Sequence, residues 1–424
     1  MKWISKITTF LSKWDKNNKK EEKTDNNIGE EKSAEYCPYC KSKKFVRRGK
    51  RKKKLEIVQL YQCSGCSRTF TAQFIKGRHY PVNLIIDGLS YYNLGFGLED
   101  TCRILAKKYG LKEKGTSPQQ EGNVGTGAPG TATLANWTKE YSELCRYSRL
   151  RSFGTKMCKP QDTIEVMNMA HRQIYRFLYH RPKMRLTLQE FKNRHFGPLK
   201  DYLDGVSGET PHQYFQEGIR ISEIKTKFDK SQMIVRSKSN YANRLADFVL
   251  QAVKDRKKRH EALQQFFVAN DSVTVASEVP VYIRKEDVEH MENVLKFKIT
   301  DGEEIEISGR KGKDKIQKFP KLMTGHIDLL QVRNGQIHIL DYKPNAAKEK
   351  PIEQLTWYAL ALSRLTGLRL FEFKCAWFDE KDYFEFYPLH VVKKIQDRKK
   401  KRKVYLKSFG TSVEIPEENK VKIV

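Results

Sequence analysis

At 424 residues the chain is long enough for two or three domains, each burying its own core, so its length does not call for a partner in folding. Its 81 Lys and Arg against 51 Asp and Glu leave a formal net charge of +30, far more than solubility requires. That excess suits a polyanion, nucleic acid ahead of an acidic membrane surface, and the absence of a run of about 18 apolar residues predicts no spanning helix.

In the first segment, 1–35, Trp3, Ile4, Ile7, Phe10, Leu11 and Trp14 recur at roughly helical spacing. The stretch lacks the long apolar run and small-residue cleavage site of a signal peptide, and reads as either a docking helix or a frayed end. Asp15 to Lys32 is charged and Asn-rich without apolar periodicity, the pattern of a flexible linker.

A compact module follows over 36–74. Cys37-Pro-Tyr-Cys40 and Cys63-Ser-Gly-Cys66 offer four thiolates in two tight turns, the arrangement from which strands build a tetrahedral zinc site. The other cysteines, Cys102, Cys145, Cys158 and Cys375, are scattered through apolar or helical text. One metal site without a disulfide framework fits a reducing compartment, and the expected location is the cytoplasm, in association with the nucleoid. The zinc itself is expected to be structural. What it displays is Lys41, Lys43, Lys44, Arg47, Arg48, Lys50, Arg51, Lys52, Lys53 and Lys54, a cationic run suited to phosphate contact.

Residues 80–150 read as helical. Gly95 and Gly97 separate a helix over Val82–Leu94 from a second over Leu98–Tyr109; Lys112 to Gly130 is a Gly-, Thr-, Pro- and Gln-rich loop, and a third helix runs from about Thr133 to Leu144. The second and third helices suit a helix-turn-helix with an inserted loop, Trp137 packing beneath the latter. An ordinary helical bundle is the alternative. The Cys-Pro-Tyr-Cys knuckle, the run Tyr61-Gln-Cys-Ser-Gly-Cys-Ser-Arg-Thr-Phe70 and the helices with Trp137 resemble the zinc-ribbon and helix-turn-helix front end of prokaryotic transposases, which implies DNA recognition.

Residues 151–235 are basic and aromatic, as in Arg172 to Arg181, and are expected to be helical. From 240 to 390 the pattern becomes α/β: a long helix from Asn240 through about Phe267, strands over Ser272–Ile283, Gly325–Arg333 and Gln336–Tyr342, a helix over Ile352–Thr366, and strands over Leu370–Phe378 and Tyr383–Leu389. A basic tail, 391–424, includes Arg398 to Lys403.

Two strands of this region carry chemistry. Gly325-His-Ile-Asp328-Leu-Leu and Ile337-His-Ile-Leu-Asp341-Tyr-Lys343 flank an Asn334-Gly335 turn. Alternation puts Asp341 and Lys343 on one face, and the hairpin's twist can bring Asp328 beside Asp341. Two carboxylates buried among Leu329, Leu330, Ile337, Ile339 and Leu340 are costly unless a cation lies between them.

Asp328 followed by Asp341-Tyr-Lys343 resembles the PD-(D/E)xK nuclease superfamily, with Asp in place of the more frequent Glu, and Gln354-Leu-Thr-Trp-Tyr358 is similar to the QxxxY of its RecB-like branch. The resemblance implies a restriction-endonuclease-like core with a mixed sheet flanked by helices. It also implies Mg²⁺ or Mn²⁺ held by Asp328 and Asp341, Lys343 positioning the attacking water, and supporting roles for Gln354 and Tyr358. An additional acidic or His residue is expected upstream, Glu278 first and Asp247 second; with only Cys375 in this region, no iron-sulfur cluster is expected.

The expected molecule is thus a multidomain, metal-dependent DNA endonuclease with an N-terminal zinc ribbon and helix-turn-helix, serving a mobile element, defence or repair. With a single site per chain, cutting both strands implies a homodimer or two successive nicks. The alternatives are a DNA-binding transposase of the usual type, which needs three carboxylates on a ribonuclease-H-like core and leaves the Asp-Tyr-Lys hairpin unexplained, and a non-catalytic DNA-binding regulator.

Overall fold

A computed structural model describes residues 34, 36–52, 57–71, 80–111, 127–145, 148–225, 234–238, 240–253, 255–299, 304–307, 315–393, 405–408 and 411–414. The readings of Met1–Trp14, the linker after it, most of the loop after Lys112, Lys53, Lys54 and the cluster at Arg398–Lys403 lie outside the described residues.

In chain order the described elements are β1 (Phe45–Lys52), β2 (Ile57–Cys63), β3 (Thr69–Thr71), α1 (Val82–Asn93), α2 (Leu98–Tyr109), α3 (Thr131–Glu140), α4 (Ser148–Met157), β4 (Ile164–His171), β5 (Gln173–His180), α5 (Arg181–Leu188), α6 (Gly197–Glu209), α7 (His212–Glu217), β6 (Ile219–Arg220), β7 (Ile224–Lys225) and β8 (Val235–Lys238). They continue with α8 (Tyr241–Leu250), α9 (Arg259–Asn270), β9 (Thr274–Arg284), α10 (Lys285–Asn293), β10 (Glu304–Ile307), β11 (Lys315–Lys318), β12 (Leu322–Arg333), β13 (Gln336–Tyr342), α11 (Ile352–Thr366), β14 (Phe373–Phe378), β15 (Asp382–Phe386), α12 (Pro388–Val392), β16 (Tyr405–Ser408) and β17 (Thr411–Glu414). Two compact units emerge: Met1–Val166 with Leu178–Leu186 and Arg244–Val275, and Met167–Phe177 with Thr187–Asn243 and Ala276–Val424.

In the first unit, β1, β2 and β3 form a three-stranded sheet in that order. Its small core is Cys37, Tyr61, Cys63 and Phe70, with Phe45 packed edge-on to both rings. Helices α1 and α2 keep the expected limits except that Leu94 caps α1 rather than continuing it. At Gly88 three helices meet: a Cβ there would lie 3.1 Å from Leu134, 3.4 Å from Leu105 and 3.5 Å from Trp137. Trp137 is buried as expected, while α3 ends at Glu140, four residues before the predicted end, and gives way to turns.

The helical expectation for 151–235 holds for α4, α5, α6 and α7 and is corrected at β4 and β5. Ile174, Tyr175, Phe177 and Tyr179 are strand formers, and the run Phe177–His180 is buried on both faces, so the alternation that marks a half-exposed strand is missing. The single long helix expected from Asn240 is two, α8 and α9. Between them the Asp255 carboxylate accepts a hydrogen bond from the Lys257 amide at 2.9 Å, a local turn that competes with helix. Strand β14 begins three residues later than predicted because Leu370–Glu372 form a 3-10 turn, and Pro388 ends the last strand and opens α12.

The second unit holds a mixed sheet of nine strands in the order β4-β5-β9-β12-β13-β14-β15-β8, with β6 added beside β12. β12 and β13 are antiparallel, closed by Asn334 and Gly335 with φ of 54° and 75°, the left-handed pair that a two-residue hairpin turn needs. β13 and β14 are parallel, joined through α11. That helix is apolar nearly all round (Leu355, Trp357, Ala359, Leu360, Ala361 and Leu362 are buried) and ends at Gly367, whose φ of 71° suits a helix C-terminus.

Trp137→Ala is expected to destabilise the helical part of the first unit by about 3–5 kcal/mol, the usual cost of deleting a buried aromatic ring. Urea unfolding followed by far-UV circular dichroism measures it; an unchanged midpoint would mean that the three helices do not depend on this ring.

Candidate active site and candidate metal centre

The pairing of β12 explains where its acidic residue sits. β13 pairs with Leu329–Arg333 and β6 with Met323 and Thr324, so Gly325–Asp328 lies between the two pairings. One step beyond the last pair, Leu329 with Leu340, stand Asp328 and Asp341. The two carboxylates are within hydrogen-bond reach of each other. Lys343 Nζ lies 2.9 Å from Asp341 Oδ2. Asp341 is only 3% exposed, and that Oδ2 receives no properly directed hydrogen bond.

The electrostatics follow from this crowding. Burial pushes the Asp341 carboxyl well above the ordinary carboxylate range, Asp328 adds to the rise, and Lys343 opposes it. Burial works against the Lys343 cation, but Asp341 beside it outweighs that and raises its pKa. Two adjacent carboxylates that cannot both ionise alone are a natural cation site, and an all-oxygen donor pair with an under-satisfied oxygen suits a hard divalent ion such as Mg²⁺ or Mn²⁺.

Helix α11 brings the next pair. Gln354 Nε2 donates to the Tyr358 hydroxyl at 2.9 Å, one turn apart. The Tyr358 ring is buried against β12, where a Cβ on Gly325 would fall 2.5 Å from its Cε1, so glycine is required there. Burial pushes the Tyr358 hydroxyl well up, and Asp328, Asp341 and Glu278 act in the same direction, so the hydroxyl is within electrostatic reach of all three carboxylates. Glu278 adopts φ of 50° inside β9, a left-handed kink that re-aims its side chain. It does not close with Asp328 and Asp341 into a compact group of three ligands among the described residues. Asp247 is exposed on α8, in the first unit.

Sequence reasoning missed a cluster of rings beside this site. His171 Nδ1 and His326 Nε2 are 2.8 Å apart, and His171 Nε2 and His212 Nδ1 are also 2.8 Å apart. Phe215 stacks on His171 and Tyr175 on His326, with centroids 4.0 and 3.6 Å apart. Burial, reinforced by His171 and Arg220, drives His326 down to about 2, so its ring is neutral. The only signal in sequence was His326 two residues before Asp328; its partners come from three other elements.

The four knuckle cysteines form a second centre. Their sulfurs all lie within 4.8 Å of one another, and among the described residues they are the only group of three or more His, Cys, Asp or Glu so gathered. Burial disfavours the Cys63 thiolate, yet the Cys66 and Gly65 amides and the neighbouring thiols outweigh it and lower its pKa to about 6. Four convergent thiols, one already inclined to ionise, fit a tetrahedral soft-metal site.

Two outcomes follow. Gly325→Ala is expected to lower stability by about 1–3 kcal/mol, because the ring of Tyr358 must move. Adding Tyr358→Ala should recover part of that loss, giving a double-mutant cycle far from additive; additivity in thermal melts would mean the methyl is accommodated elsewhere. Metal analysis of the purified protein should find a single zinc per chain, absent from Cys63→Ser, and a variant that keeps its zinc would show that the four thiols do not hold it.

Residues 199–406 match the family model of the PD-(D/E)XK nuclease superfamily. The match takes in β12, β13 and α11 and begins well before Asn240, where α/β character was first expected. No curated protein and no solved structure matches the chain. Residues 199–406 are therefore a PD-(D/E)XK nuclease-superfamily domain, that of a phosphodiester-hydrolysing enzyme.

Proposed function

We propose that the chain is a metal-dependent DNA endonuclease whose N-terminal ribbon and helices bring it to DNA. The observation that carries this reading is the pair of buried Asp341 and half-buried Asp328 with Lys343 against Asp341. Asp328 and Asp341 would hold Mg²⁺ or Mn²⁺, which when bound neutralises phosphoryl oxygens and lowers the pKa of water. Lys343, tethered at 2.9 Å to Asp341, orients the attacking water and offsets the charge that builds on the phosphate. Gln354 and Tyr358 fix the buried wall behind the carboxylates, and Glu278 supplies a further acidic group at its margin.

The charge of the front end supports a polyanionic partner. Lys41, Lys43, Lys44, Arg47, Arg48, Lys50, Arg51 and Arg68 are exposed on the ribbon, and its described residues, 36–52 and 57–71, include no Asp or Glu. A zinc ion in the four-cysteine centre would serve structure, holding this cationic strand pair in place. Helices α2 and α3 would act as a helix-turn-helix, and the transposase-like front end favours a mobile element as the setting.

Supercoiled plasmid incubated with Mg²⁺ or Mn²⁺ is expected to be nicked or cut, and EDTA to abolish the reaction. Asp341→Ala and Lys343→Ala should each lower the rate about a hundredfold or more. Salt-dependent binding with no cutting under any metal would instead favour the non-catalytic regulator.

A further inference from the structure

The geometry points to Arg220 as a phosphate-binding residue of the nuclease site: from β6 its guanidinium grips a phosphodiester of the DNA strand being cut, with the Tyr175 hydroxyl beside it as a second donor. This rests on the nuclease reading above and extends it to a residue outside the carboxylate-lysine motif.

Placement comes first. β6 runs parallel to β12 with Arg220 opposite Thr324, so the side chains of Arg220 and Thr324 project to the same face of the sheet. His326 follows on that face two residues along β12, and Asp328 two further. Arg220 is near enough to act electrostatically on both Tyr175 and His326, and Asp328 acts on the same two groups. The guanidinium and the carboxylates thus flank one stacked pair of rings.

Arg220 is also held there without being used. Arg172 donates from Nε and Nη2 to Gln216 O at 3.1 and 2.9 Å, and from Nη2 to Gly218 O at 2.9 Å, tying the segment before β6 to the turn between β4 and β5. Gln216 Nε2 returns a bond to Ala170 O at 2.5 Å. Gly218 has no room for a side chain, since a Cβ would lie 2.8 Å from Thr324 Cγ2 and 2.9 Å from Tyr214 O, and Ile221 after β6 is fully buried. A two-residue strand is therefore fixed on both sides.

Other arginines of the second unit have fixed occupations: Arg172 on carbonyls, Arg284 and Arg364 on Asp287, Arg333 on His338 and Tyr383. Arg220 is half-buried, and beyond the backbone pairing of β6 its guanidinium makes no ion pair or hydrogen bond among the described residues. A guanidinium presents a planar fork that matches two phosphate oxygens, and a partly desolvated one gains more from that partner than a solvated one. Tyr175 adds a hydroxyl on a rigid ring, stacked on His326 at 3.6 Å, which His171 and His212 brace in turn. A substrate phosphate fits the place left between Arg220 and the carboxylate centre, where an Asp or Glu partner is missing.

The test uses the full chain. Single-turnover plasmid cutting with Mn²⁺ is compared for wild type, Arg220→Ala, Arg220→Lys and Asp341→Asn, alongside duplex binding in Ca²⁺ and thermal melting. Arg220→Ala is expected to cut roughly tenfold to a hundredfold more slowly, with unchanged melting, the loss of one charge-assisted phosphate contact. Arg220→Lys, which keeps the charge but not the fork, should fall between, and added methylguanidinium should restore part of the rate to Arg220→Ala alone. Should Arg220→Ala not fold, the lysine variant carries the test through a several-fold loss at unchanged melting. Cutting at the wild-type rate by either variant, or a loss that tracks melting and resists methylguanidinium, overturns the assignment while leaving the nuclease reading intact. A wild type that cuts nothing, with Asp341→Asn indistinguishable from it, overturns both.

Discussion

Two carboxylates placed side by side in a sheet interior constrain everything around them. At about 4 Å and an effective dielectric near 20, like charges repel by roughly 4 kcal/mol, and each also loses hydration. Asp341 meets that cost with a lysine at 2.9 Å and a shifted proton equilibrium, and Asp328 stands between the stretches of β12 that pair with β6 and with β13. The surrounding apolar mass is what keeps the arrangement from relaxing: Leu329, Leu330, Ile339 and Leu340 are almost wholly buried, and α11 packs against β12, β13 and β14. Such a site is destabilising by itself, and a divalent cation between the carboxylates would relieve that cost, so part of the affinity for such an ion would be stored in the fold.

The same economy governs the basic residues. On the ribbon, Arg47, Arg48, Lys50 and Arg51 are exposed, and such charges act mainly through long-range attraction to a polyanion and are screened by salt. Arg220 is of another kind: its strand is pinned by Arg172, Gly218 and Ile221, and it is half-buried. Solvated cations find DNA; a fixed, partly desolvated one discriminates where along the strand a phosphate stops.

What was legible in sequence follows from how local the signals are. The hairpin of β12 and β13 announced itself through Asn334-Gly335 and its apolar flanks, and α11 through an uninterrupted apolar helix ended by Gly367, so both elements lie where they were expected. The pairing of Asp328 with Asp341 followed from that register. β5 was misread because burial on both faces erased its alternation, and the break between α8 and α9 because Asp255 looks like an ordinary polar residue of a helix. Glu278 could be picked as an acidic candidate, but its left-handed φ is a property of the folded strand alone. The ring cluster was invisible: His171, His212, Phe215 and His326 lie up to 155 residues apart, and no periodicity links them.

That cluster gives the site two unlike sides. Toward α11 the carboxylates meet Tyr358, whose hydroxyl is already engaged by Gln354; toward β5 they meet Tyr175 on His326 and His171, whose imidazoles burial keeps neutral. Neutral rings neither compete with Lys343 for the carboxylates nor repel a metal ion, as charged histidines would. They also exclude water from one flank, and in a drier site each fixed charge acts more strongly on a phosphate than it would in solution. A protonated His326 would add a cation two residues from Asp328 and weaken metal binding, so the burial that keeps the imidazole neutral is as much a part of the site as the carboxylates it adjoins.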